Sequence, residues 1–244
     1  MFLNSETGVY RGYKSENFVF EGRNCTVVFP GKEREDKKWI WRAEFLGAFD
    51  SVDTDMLSKG YALAYISVSD MYGNPESIEI MKKFHCFMTG HGFCEKTVIF
   101  GFSRGGLYAC NFALKYPDAV AALYLDAPVL DIKSWPGGMG KGAGAAREFK
   151  ECLSLYGLDE KTVCDFRKNP SDRLEELCSL GIPVALVAGD SDRVVPYGEN
   201  GALLENVYRK GGGDLLCIVK PGCDHHPHSL SDPSPVSAFL RARY

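Results

Sequence analysis

The segment Gly101-Phe102-Ser103-Arg104-Gly105-Gly106, directly after the apolar run Thr97-Val98-Ile99-Phe100, constrains this chain more than any other feature. It reads as a strand turning sharply into a helix with a serine at the apex. Such a turn accepts only small residues two before and two after the serine, and Gly101 and Gly105 fill those positions. Gly106 adds a third small residue where the following helix must lie close against a sheet. Leu107 to Tyr116 then continues as a helix stopped by Pro117. GxSxG arises by chance in many chains, so its meaning depends on what flanks it.

What flanks it is an alternation of apolar runs and helical stretches. Runs fall at 17–21, 25–29, 61–68, 97–100, 121–125, 184–188 and 215–219, the last five nearly continuous, as in parallel strands buried on both faces. Helical stretches lie around 52–59, 75–91, 107–116, 198–210 and 236–243. The pattern predicts one α/β domain over 1–244, a mostly parallel central sheet with helices on both faces. One connection, Pro128 to Ile182, is too long for a simple crossover and predicts an insertion or lid over about 129–182. It opens with Trp135, a candidate pocket-lining residue or a packing residue. Its stretch Gly137 to Gly144 lacks the GK[ST] ending of a phosphate loop.

A chain of 244 residues with 45% hydrophobic and 25% charged residues has the make-up of an ordinary globular protein. A net charge of -4 without a dense Lys/Arg stripe argues against nucleic acid or an anionic membrane as partner. The start has no signal-like pattern and no run approaches a membrane span, which gives a cytoplasmic expectation. Nine scattered cysteines without a CxxC pair suggest small reduced core residues rather than a disulfide framework or a zinc knuckle.

A serine hydroxyl needs a base, and the base needs an orienting acid. After a strand-borne turn the order should run Ser, Asp or Glu, then His. The run 184–188 leads into Gly189-Asp190-Ser191-Asp192, at the carboxyl edge where open α/β sheets bind ligands. Asp192 is the preferred acid, Asp190 is better placed to tie the turn, and Asp126 is the fallback. The run 215–219 leads into Cys223-Asp224-His225-His226-Pro227-His228, so His225 is the preferred base, with His226 and His228 holding the loop or facing solvent. A metal site is the competing explanation for three clustered histidines, but no HExxH helix or carboxylate-rich partner motif accompanies them; no metal and no cofactor is expected. For the oxyanion hole, one donor is expected at the backbone N–H of Arg104. The second is sought in the loop after 25–29, with Lys32 and Trp41 as candidates. Trp41 and Trp135 are candidate substrate-binding aromatics.

With strand, elbow, acid and histidine in this order, the chain resembles the α/β-hydrolase superfamily from Asn17 onward. Trp39-Ile40-Trp41-Arg42-Ala43, Asp126-Ala127-Pro128-Val129, Asp131 to Gly138 and His225 to Leu230 are similar to bacterial serine hydrolases described as esterases or prolyl-oligopeptidase-like, some associated with carbohydrate breakdown. The resemblance implies Ser103 as nucleophile, Asp192 as acid and His225 as base. It departs from the usual Gly-His at Asp224-His225, where an added carboxylate could raise the base's pKa or point into solvent. The expected activity is hydrolysis of a small-molecule acyl ester through an acyl-enzyme, with carbohydrate-linked esters among the candidate substrates. The alternatives are a peptidase or amidase with the same triad and a non-catalytic binding protein on the same fold.

Overall fold

The computed structural model describes residues 2–244. The chain begins as an antiparallel meander of β1 (Glu6–Tyr10), β2 (Tyr13–Phe20) and β3 (Arg23–Val28). Both connections are two-residue turns, Arg11-Gly12 and Glu21-Gly22, with all four residues at positive φ. That is the mirror-image turn whose twist suits a hairpin, with glycine second where it costs least. β4 (Trp39–Arg42), α1 (Ser51–Ser58) and β5 (Ala62–Ile66) follow. Then come α2 (Pro75–Gly90), β6 (Thr97–Phe102), α3 (Gly105–Lys115), β7 (Val120–Asp126), α4 (Ala146–Tyr156), α5 (Leu174–Ser179), β8 (Val184–Gly189), α6 (Gly201–Gly211), β9 (Leu215–Lys220) and α7 (Ser234–Arg241).

One sheet of nine strands results, in the order β1-β2-β3-β5-β4-β6-β7-β8-β9. β5, β4 and β6 through β9 are parallel, and β3 joins β5 antiparallel. The expected mostly parallel sheet is therefore present, extended by the meander. Every residue of β4, β6 and β8 is buried, which is why β6 and β8 read as nearly unbroken apolar runs. One face packs Trp41, Ile99 and Leu123 against α2, α3 and α6; the other packs Ile40, Phe100 and Tyr124 against α1 and α7.

The segment between β7 and β8 forms a third cluster, in which Cys152, Leu153 and Val163 pack with Tyr72, Leu107, Val129 and Val195. Its glycine-rich part lies on the loop after β8. Ala143 donates to the Arg193 carbonyl, and Glu199 accepts from the Ser134 hydroxyl and the Lys141 amide. Of the nine cysteines only Cys25, Cys110 and Cys152 are buried, and burial pushes their thiols up to about 12; Cys86 and Cys164 are exposed. The expectation of core cysteines thus holds for a minority. No helix among the described residues is long and apolar enough to cross a membrane.

Candidate active site

Ser103 stands in the turn between β6 and α3 at φ 50°, a left-handed backbone that a non-glycine residue holds only under constraint. The constraint is visible in the hydrogen bonds. Its N–H donates to the Asp126 carbonyl at 2.9 Å, and its carbonyl accepts from Val129 at 2.8 Å and from Gly106 at 2.9 Å. A Cβ on Gly101 would lie 2.8 Å from the Gly105 carbonyl oxygen, and one on Gly106 would lie 2.6 Å from Pro128. Gly105 is less crowded, its nearest neighbour being Glu44 at 3.4 Å.

The parallel strands β6, β7, β8 and β9 end at one edge of the sheet, and each delivers a residue there. His225, after β9, places Nε2 3.0 Å from Ser103 Oγ. Asp192, after β8, accepts from His225 Nδ1–H at 2.7 Å. The second oxygen of Asp192 accepts from the amides of Val194 and Val195, each at 2.8 Å, so the buried carboxylate is fixed in place. Asp190 ties the turn, accepting from the Gly222 amide and the Ser191 hydroxyl. Asp224 turns away from the imidazole and accepts from the Arg193 amide, the Arg193 guanidinium and the His225 amide. The backbone hydrogen bond from Arg193, then that from His225, hold its carboxyl down at about 2.

Asp126, at the end of β7, carries a histidine of its own. It accepts from His228 Nδ1–H at 2.8 Å, from the Ser229 amide at 2.7 Å and from the Tyr124 hydroxyl at 3.0 Å. The fallback acid is thus committed to fastening the far end of the histidine loop. Ring nitrogens of His225, His226 and His228 lie within 4.8 Å of one another, yet both nitrogens of His225 are already engaged in the hydrogen-bonded chain.

Two expectations need correction. Lys32 is exposed at the opposite edge of the sheet, its carbonyl oxygen 2.9 Å from where a Gly60 Cβ would stand, just before β5. Because β3 runs antiparallel to β5, the loop after it emerges at the amino ends of the parallel strands. Trp41 is fully buried in β4, wedged between Trp39, Phe84 and Phe112, and reaches neither substrate nor oxyanion. The loop that stands beside Ser103 is instead the one after β4, through Glu44 and Phe45. Glu44 accepts from Arg104 Nε at 2.9 Å, and Asp70 pairs with the same guanidinium at 2.7 Å. Burial pushes the Glu44 carboxyl up, and Arg104 opposes it. Arg104 also lies over Phe45 and Tyr72, and half-buried Trp135 packs 6.2 Å from Tyr72. The run Trp39-Ile40-Trp41-Arg42, taken as a strand rather than a loop, was the signal for this arrangement.

No family model matches the chain, and neither does any curated protein. Solved structures do. An S-formylglutathione hydrolase from Agrobacterium tumefaciens superposes with a TM-score of 0.65 at 15% identity, over 98% of this chain and 96% of that one. The chain has the α/β-hydrolase fold. An α/β-hydrolase enzyme from a lagoon-sediment metagenome has a TM-score of 0.57 at 17% identity, over 89% of this chain and 93% of its own. A puromycin-hydrolyzing peptidase from Mycobacterium tuberculosis reaches 0.67 at 14% identity over 98% of this chain, which spans only 38% of that protein. In this fold the edge holding Ser103, Asp192 and His225 is the carboxyl edge of the sheet, where ligands bind.

Proposed function

We propose that the protein is a serine hydrolase that cleaves small acyl esters through an acyl-enzyme. The observation that carries this reading is the unbroken chain from Ser103 Oγ through His225 to Asp192, at 3.0 and 2.7 Å, on a strained turn. His225 Nε2 takes the hydroxyl proton as Oγ attacks the ester carbon, and later gives it to the leaving alkoxide. Asp192 holds the imidazole in the tautomer with Nδ1 protonated and stabilises its cation. Water then repeats the sequence on the acyl-enzyme.

The developing oxyanion requires donors that are already in place. The Arg104 amide, at the start of α3, is one. The adjacent Glu44 and Phe45 amides, which donate to nothing among the described residues, supply the second. The Arg104–Glu44 ion pair joins the two loops that carry these donors, so the side chain of Arg104 acts by holding the hole together. Trp135, with Phe45 and Tyr72 around Arg104, gives an aromatic wall suited to an acyl or sugar group, and the 129–182 insertion covers that side. The substrate is a small-molecule ester rather than a nucleic acid or a lipid surface.

The test is hydrolysis of nitrophenyl esters from acetyl to octanoyl beside an aminoacyl anilide, with S103A as control. Turnover of short esters, lost in the variant, is expected. Preference for the anilide would make the protein an amidase, and turnover surviving in S103A would sink the assignment.

A further inference from the structure

The histidine loop holds more imidazole than a triad requires. His225, His226 and His228 stand edge to face in a triangle, with ring centroids 4.7 to 4.9 Å apart. One nitrogen from each lies within 4.8 Å of the others. Two of the three are buttressed identically, because His225 gives Nδ1–H to Asp192 and His228 gives Nδ1–H to Asp126. Both carboxylates are buried, and both histidines are left with Nε2 as their only donor to a ligand. A carboxylate behind each imidazole is the arrangement that orients histidines for a metal ion and raises their basicity. The third, His226, is exposed and stacks on Phe49 at 5.4 Å, so one face of the cluster opens to solvent.

We propose that these three histidines form an inhibitory site for a divalent late transition-metal ion such as zinc, which competes with Ser103 for His225 Nε2. Zinc takes imidazole nitrogens at about 2.0–2.1 Å in a tetrahedral arrangement. His226, held only by stacking, swings the short distance needed to complete three ligands. Water takes the fourth position. The Ser103 hydroxyl then keeps its proton, because the lone pair that would accept it is bound to the ion. The triad and the metal site are therefore alternative uses of one nitrogen, and zinc is an inhibitor here, not a cofactor.

The inhibition rests on the hydrolase reading, whereas the binding does not, and the experiment separates them. Calorimetry with zinc and absorption spectroscopy with cobalt(II) are run on the full chain, beside nitrophenyl acetate hydrolysis with and without EDTA. The variants are H226F, which keeps a ring against Phe49 without a donor nitrogen, and C223S, which removes the thiol two residues before His225. One ion per chain, a tetrahedral cobalt spectrum and EDTA-reversible inhibition are expected. H226F should retain basal turnover and need at least about tenfold more zinc for half-inhibition, since even losing a supporting carboxylate costs that much. C223S should behave as the parent. Equal zinc sensitivity in H226F, or its loss in C223S, overturns the site. A chain that forms the cobalt site through His226 yet hydrolyses no ester refutes the hydrolase reading and leaves the metal site standing.

Discussion

Asp126 ends β7 and Asp192 lies in the loop after the neighbouring β8, and each is bonded to a histidine of the same short loop, yet their surroundings give them different work. Asp126 satisfies a hydroxyl, an amide and an imidazole, so it is a fastening whose histidine does not touch Ser103. Asp192 spends one oxygen on two amides of its own loop and turns the other to His225. Replacing it by asparagine keeps the shape but inverts the hydrogen bond that sets the tautomer. D192N should therefore fold normally and lose roughly 10⁴ in kcat, the magnitude such a change costs in a serine triad. Circular dichroism beside steady-state kinetics checks it, and a loss below about tenfold would mean that another group orients the base. Ser103, His225 and Asp192 were legible because each follows an apolar run in the required order. The Asp126–His228 pair was not, because nothing in the spacing of residues 126 and 228 shows that two strand ends meet.

At the scale of elements, β4 decides how the active-site edge is assembled. It is only four residues long, and its Trp-Ile-Trp-Arg composition, flanked by charges, lacks the length by which the longer strands are recognised. Without β4 as a strand, the loop beside Ser103 is sought after β3, near Lys32 and Trp41, instead of after β4, through Glu44 and Phe45. In place, β4 sends Trp41 into one core and Arg42 into the other. There the guanidinium pairs with buried Asp53 at 2.6 Å and stacks 3.9 Å from Phe102, next to Ser103. Arg42 also donates to the Ala48 carbonyl, which secures the loop that passes beside Ser103. Trp41 belongs to packing, so W41A should cost about 3–5 kcal/mol of stability. KM for a small ester should stay near the parent value in whatever fraction remains folded. Urea denaturation with Michaelis kinetics reads both, and a raised KM with unchanged stability would return Trp41 to the binding site.

The whole molecule is two cores on one sheet, with the insertion sharing Leu107, Val129 and Val195 with the elements beneath it. Its response to acid has an identifiable source in α2. His85 donates from Nε2 to the Glu95 carbonyl at 2.7 Å, while its buried Nδ1 has no partner among the described residues. Burial, the larger cause, holds its pKa below the ordinary histidine value despite the Glu95 hydrogen bond. The unfolded chain therefore binds this proton first. Stability is full above the ordinary histidine pKa of about 6.5 and falls as the pH drops through and below it. H85Q should flatten that part of the Tm profile between neutral pH and about pH 5. An unchanged slope would place the acid sensitivity elsewhere.

One measurement reaches the central claim directly, that Ser103 is an activated nucleophile. Intact-mass spectrometry after fluorophosphonate treatment of the parent chain and S103A should show a single adduct on the parent and none on the variant. The absence of an adduct on the folded parent, or its persistence in S103A, would contradict the claim.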